Sequence, residues 1–140
     1  MSGHLIALMG PPGAGKSTWA QTREHVISTD AIRHGADYRT VYRIAMRELE
    51  ARLGYGEEVV FDATCASPVT RRHLLDIAGH TQARTTLVVF TTPLADCVAR
   101  QAGRDIGVSE ERVRESWQAI ADQVSDVHRE SWQTVELVQP

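Results

Sequence analysis

Nine consecutive residues near the amino end hold the densest chemistry in the chain: Gly10-Pro11-Pro12-Gly13-Ala14-Gly15-Lys16-Ser17-Thr18. They satisfy GxxxxGK[ST], a pattern in which glycines let the backbone curl until successive N–H groups point at one anion. The ammonium of Lys16 then reaches the β- and γ-phosphates of a nucleotide, and the Ser17 hydroxyl is placed for Mg²⁺. The bland alternative is a glycine-rich turn that binds nothing. It is disfavoured because the apolar run Leu5 to Met9 precedes the motif and Trp19, Ala20 and Gln21 continue it as a helix would. Composition adds a modest hint, since Lys16 is the only lysine among 15 basic residues. A chain that uses arginine everywhere else has kept one compact point charge where a phosphate wants it.

Four further sets of residues have types and spacings that suit phosphate chemistry. Ser28-Thr29-Asp30-Ala31-Ile32-Arg33 places a carboxylate one helical turn before a guanidinium. Asp30 can orient or deprotonate an attacking hydroxyl while Arg33 holds a phosphate beside it; a helix cap at Thr29 or Asp30 is the competing reading. Val59-Val60-Phe61-Asp62 runs apolar residues into an aspartate, a Walker B-like element that meets Mg²⁺ through water, although an aspartate at a strand end is also a common turn former. Arg100 and Arg104 stand at i and i+4, a spacing suited to clamping phosphates like a lid, or to a solvated face. Arg39, Arg43 and Arg47 recur every four residues, and Arg71 and Arg72 follow the third strand. Such a stripe can track a sugar-phosphate backbone, but Glu48 and Glu50 nearby make a salt-bridged surface an equal alternative. Trp19, Trp117 and Trp132 offer surfaces for stacking a base, with core packing the better reading of Trp19. His25, His34 and His73 form no metal-like set and read as surface or capping residues.

These residues need a scaffold, and the hydrophobic pattern supplies one. Apolar runs at His4 to Met9, His25 to Ser28, Glu58 to Phe61, Thr86 to Thr91 and Thr134 to Val138 alternate with amphipathic stretches, the signature of a parallel sheet wrapped by crossover helices. Helices are expected to open near Gly15, near Asp30 to Tyr38, at Ser67 or Pro68, at Pro93 and at Ser109. From Tyr38 to Leu53 the pattern Val41, Ile44, Ala45, Glu48, Leu49, Leu53 has helical spacing, and Gly54 and Gly56 stop it. Ser67 ahead of Pro68 is a cap with a proline in the first turn, and Leu74, Leu75, Ile77 and Ala78 supply a buried face. Ser109 with Glu110 and Glu111 combines a cap with first-turn acids that complement the helix dipole. The expected fold class is therefore α/β: a single domain over residues 1–140 with a five-stranded, mainly parallel sheet flanked by helices.

At 140 residues, with 42% hydrophobic and 24% charged content, the chain has the make-up of one globular domain that needs no disulfide or structural metal. Cys65 and Cys97 match no metal or CxxC spacing, so a reducing cytosol is the expected setting. The run Leu5 to Met9 is too short for a signal peptide or a membrane span. A net charge of −3 does not announce a nucleic-acid binder and does not exclude one, because a few local phosphate contacts vanish in the average. The tetrapeptide Glu-Ser-Trp-Gln at 115–118 and 130–133 shares no flanking pattern and is no repeat.

Together these elements resemble the small P-loop kinases of the polynucleotide 5′-hydroxyl kinase type, over most of the chain. That family carries a GxxGxGKST loop, an Asp and Arg three residues apart after the second strand, a DxTN segment after the third and an RNxxR-like lid. Here they stand as Gly10 to Thr18, Asp30 with Arg33, Asp62-Ala63-Thr64-Cys65, and Arg100-Gln101-Ala102-Gly103-Arg104. Cys65 and Gln101 depart from the family's asparagines. The resemblance implies a P-loop kinase fold with a short arginine-bearing lid, ATP and Mg²⁺ as cofactors, and Asp30 as general base. It also implies Arg33 on the acceptor phosphate, Arg100 and Arg104 on the ATP phosphates, and a 5′-OH polynucleotide end as acceptor. A small hydroxyl acceptor (nucleoside, sugar or antibiotic) is the nearest rival. A nucleotide-driven AAA-type switch ranks lower, because Ala63 stands where such a module would carry a water-activating Glu. Whether RNA, DNA or a nucleotide is the natural acceptor, whether a phosphatase or ligase acts alongside, and the oligomeric state are not encoded in these motifs.

Overall fold

The computed structural model describes residues 2–29, 37–104 and 107–140. Five strands form one sheet: β1 (His4–Met9), β2 (Val26–Ser28), β3 (Glu58–Asp62), β4 (Arg84–Phe90) and β5 (Thr134–Val138). Helices α1 (Lys16–Ala20), α2 (Tyr38–Gly54) and α3 (Pro68–His80) lie between successive strands, α4 (Leu94–Ala102) and α5 (Glu110–Ala121) both lie between β4 and β5, and a 3₁₀ turn at Asp126–Arg129 precedes β5. The strand order is β2-β3-β1-β4-β5 and every pairing is parallel. "Mainly parallel" thus becomes wholly parallel among the described strands.

The alternation of β1 explains the two layers. Leu5, Ala7 and Met9 join a core with Ala45, Leu49 and Leu53 of α2 and Leu74, Ile77 and Ala78 of α3. Ile6 and Leu8 point the other way, into a core with Ala20 of α1, Cys97 of α4 and Val113 of α5. With apolar residues on both faces, such a sheet is stable only when helices cover both sides. The chain winds to one side of β1 through β2 and β3, then crosses to β4 on the other. Loops leaving β1 and its two neighbours therefore part at their carboxyl ends, where open α/β sheets bind ligands.

Both predicted caps form: Ser67 Oγ accepts from the Val69 amide at 3.2 Å and Ser109 Oγ from Arg112 at 3.3 Å. Gly54 is the last residue of α2 and Gly56 makes the turn beyond it at φ 81°. The expected buried face of α2 needs one correction. Ile44 is 46% exposed, and Met46 takes its place beside Val41, Ala45, Leu49 and Leu53. The true stripe is centred on the 41/45/49 line, and Ile44 falls at its outer edge. The fourth strand also starts two residues early, at Arg84.

Candidate active site

The phosphate loop leaves β1 and turns into α1 through two residues in the left-handed region, Gly13 at φ 83° and Gly15 at φ 103°. Only glycine takes that conformation cheaply. At Gly13 space forbids anything larger as well, because a Cβ would run into the Cys97 carbonyl of α4. No side chain caps the start of α1, and a helix amino end carries partial positive charge that favours an anion.

Four side chains meet at this loop. Lys16 Nζ donates to the carbonyls of Gly10 at 2.8 Å and Pro11 at 3.0 Å. Ser17 Oγ donates to Asp62 Oδ2 at 3.0 Å. Asp62 reaches this position because Leu8 of β1 and Asp62 of β3 share one register, and it is almost wholly buried. Arg100 Nη1 donates to the Gly13 carbonyl at 3.2 Å. Loop, carboxylate and lid arginine, drawn from three distant parts of the sequence, thus meet at one place.

The two other lid and acceptor predictions fare differently. Helix α4 ends at Ala102 with Gly103 as its cap, so Arg104 lies beyond the helix and does not share a helical face with Arg100. The Arg104 amide donates to the Gln101 carbonyl at 3.1 Å, and the residue is exposed. The expected i, i+4 pair is therefore corrected to a helical arginine followed by a loop arginine. Asp30 and Arg33 lie outside the described residues.

Both departures from the family pattern have a structural account. Gln101 is buried, and its Oε1 accepts from the Val108 amide at 3.0 Å, fastening Val108 to α4. Cys65 adopts φ 51°, a left-handed conformation that asparagine tolerates better than cysteine. Its side chain is buried, and that burial pushes the thiol up to about 12. The thiol therefore stays protonated and unreactive at neutral pH.

Several residues that hold the site together are not legible as such in the sequence. Thr92, after β4, donates from Oγ1 to the Ala14 carbonyl at 2.7 Å, and its own carbonyl accepts from Trp117 Nε1 at 3.0 Å. Trp117 is half-buried against the second core, and Trp132 is 7% exposed within the first, so both pack as core residues. Trp19 is half-buried, edge-on to Phe90 and under Arg23, in keeping with core packing. Arg71 is the larger correction. Read as part of a basic surface, it is 1% exposed and bonds to Glu130 at 2.9 Å, Gln123 Oε1 at 2.9 Å and the carbonyls of Cys65 at 2.9 Å and Ala66 at 3.1 Å. It clamps the segment that follows Asp62. The Thr64 carbonyl in that segment accepts from Gly10 N at 3.1 Å, which ties the clamp to the start of the phosphate loop.

A family model described as an AAA domain, AAA_33, matches residues 5–127. No curated protein sequence matches the chain. Among solved structures, a chain of the Pnkp1/Rnl/Hen1 RNA repair complex superposes with a TM-score of 0.73 at 22% identity, over 89% of this chain and 46% of that one. Chaetomium thermophilum Kti12 in complex with ADP-AlF3 gives 0.66 at 18%, over 96% and 88%. Mycobacterium tuberculosis APS kinase CysC with AMPPNP and APS gives 0.62 at 16%, over 95% and 79%. These likenesses establish a shared P-loop kinase fold, and the chain spans less than half of the RNA repair chain it matches.

Proposed function

The chain belongs to this AAA domain family, and from that premise we propose that it is an ATP-dependent kinase moving the γ-phosphate onto the 5′-OH of a polynucleotide, RNA or DNA. The observation that carries phosphoryl transfer is the meeting of Lys16, the Ser17–Asp62 pair and Arg100 on one glycine-shaped loop. Ser17 Oγ and Asp62 Oδ2, 3.0 Å apart, are the hard oxygen donors that Mg²⁺ prefers. Ser17 would hold the ion directly and Asp62 through water; when bound, it neutralises charge on the β- and γ-phosphates.

The rest is done by the chain's own groups. The amides of Gly13 to Thr18 cradle the phosphates, and Lys16 exchanges its two carbonyl partners for phosphate oxygens. Asp30 orients the acceptor hydroxyl and takes its proton as the new O–P bond forms and the bond from the γ-phosphorus to the β-phosphate's bridging oxygen breaks, releasing ADP. Arg33 holds the acceptor's own phosphate. Arg100 and Arg104 stabilise charge on the transferring group, which in a loose transition state asks little of its base until late.

The polynucleotide acceptor is supported by the motif set around Asp30, Arg33, Asp62 and Arg100, and by the likeness to the RNA repair complex. A second reading, a small hydroxyl acceptor, draws on the likeness to APS kinase, of which this chain spans 79%. The test is a panel: labelled ATP with Mg²⁺ against 5′-OH RNA and DNA oligonucleotides, nucleosides, sugars, antibiotics and APS. Label on oligonucleotides is expected. Turnover of a metabolite with every oligonucleotide unlabelled would overturn the polynucleotide acceptor and leave the kinase.

A further inference from the structure

The proposed chemistry leaves the arginine stripe of α2 unused. A short turn at 55–57 joins the end of α2 to the start of β3, so the helix ends at the amino edge of the sheet. Its 17 residues run back about 25 Å, and its first turn opens at the carboxyl edge, where the phosphate loop and Asp62 lie. Arg39 is thus nearest the candidate site, with Arg43 and Arg47 in successive steps of about 6 Å away from it.

Three observations separate this face from an ordinary salt-bridged surface. First, the nearby acid is used elsewhere: Glu48 Oε1 pairs with Arg52 Nε at 3.1 Å, and Arg39, Arg43 and Arg47 make no ion pair among the described residues. Second, Arg39, Arg43 and Arg47 line a groove of about 380 Å³ between α2 and α3, together with Met46, Ile77 and His73. That volume suits a nucleotide-sized group. Third, a row of rings leads into it. Tyr38, 61% exposed, stacks on Tyr42 with centroids 6.1 Å apart and planes at 29°, and Tyr42 stands 5.6 Å from His73, its hydroxyl 2.9 Å from His73 Nδ1. Two acids oppose the charge. Asp37, held by the Thr40 amide, lies at the near end and Glu50 at the far end, so the stripe stays net positive.

We propose that this groove is the track for the strand behind the reacting end: single-stranded nucleic acid, with bases against Tyr38 and the apolar floor and phosphates on Arg39, Arg43 and Arg47. Cations in a row beside exposed rings suit alternating phosphates and bases, and an acidic peptide would leave the rings unused. The inference rests on the kinase reading for its direction, with the 5′ end at Arg39.

Binding of a 3′-labelled, 5′-OH single-stranded 12-mer by fluorescence anisotropy without ATP tests it. In the wild type, log affinity falls with log salt, and each phosphate contact contributes about 0.7 to the slope. The Arg39→Gln/Arg43→Gln/Arg47→Gln variant, checked for native circular dichroism, is expected to lower the slope by about 2 and the affinity by at least tenfold. Tyr38→Ala is expected to weaken binding with the slope kept. An unchanged slope and affinity in the triple variant overturns the track, as does equal binding of polyglutamate and the 12-mer. If the 12-mer binds through these arginines yet no oligonucleotide is ever phosphorylated, the track stands and the acceptor reading alone fails. If the 12-mer is phosphorylated with the same KM and salt slope in the triple variant, the track alone fails.

Discussion

Lys16 illustrates how much a single residue type can carry. The only lysine in the chain rests on two loop carbonyls, a geometry that places its ammonium where phosphates would arrive. Replacing it removes a charge aimed at the transition state, so Lys16→Ala is expected to lower kcat/KM about 10²- to 10³-fold with the fold kept. Asp30→Ala is expected to cost about 10²- to 10⁴-fold, the range for a general base, in steady-state assays with an oligonucleotide acceptor. Near-normal rates for Asp30→Ala would remove the base from the mechanism. Cys65 yields a prediction of another kind. Its thiol titrates ordinarily when the chain is unfolded and near 12 when folded. The protonated form is thus favoured by folding, and this contribution is complete below the unfolded value near 9 and lost as pH rises towards 12. Urea midpoints measured from pH 8 upward should fall more steeply for the wild type than for Cys65→Ala, and the native protein should not react with a thiol reagent at pH 8.

Between elements, the site depends on bonds that join segments far apart in sequence. Arg71 of α3 meets Glu130, 59 residues away, and fixes the carbonyls that follow Asp62. Removing one partner of a buried pair leaves the other uncompensated, so Arg71→Met is expected to cost about 3 kcal/mol in urea unfolding. Glu130 keeps some exposure and its bond from Trp132 Nε1, which sets the estimate at the low end. Arg71→Met/Glu130→Met should recover part of the loss; strict additivity of the two single changes would show that the pair is uncoupled. This pairing explains why Arg71 was illegible in the sequence. Beside Arg72, at the start of an amphipathic helix, it looks like surface, and only the fold brings Glu130 and Gln123 to it. Ile44 fails for a local reason, since it lies one step off the buried stripe. The shared helical face of Arg100 and Arg104 is lost because Gly103 ends α4 before the i, i+4 spacing can act.

For the whole molecule, the strong signals were those with a single physical cause. β1 falls on its predicted bounds because an apolar run that is buried on both faces leaves little ambiguity, and the more exposed β5 falls on its bounds as well. The phosphate loop was legible because its chemistry demands a strand, glycines, a lysine and a hydroxyl in fixed order. The order β2-β3-β1-β4-β5 was not, since pairing across β1 is decided by which helices cover which face. That order nonetheless sets Asp62 beside the loop and opens α2, with its proposed track, at the same edge as the candidate site. Transfer to a polynucleotide end is read out by the fate of labelled γ-phosphate given a 5′-OH oligonucleotide and its 5′-phosphorylated twin, with Lys16→Ala as control. One label per 5′-OH end with equimolar ADP is expected, none on the twin and none with Lys16→Ala. ADP released at full rate with free phosphate and an unlabelled 5′-OH strand would contradict it.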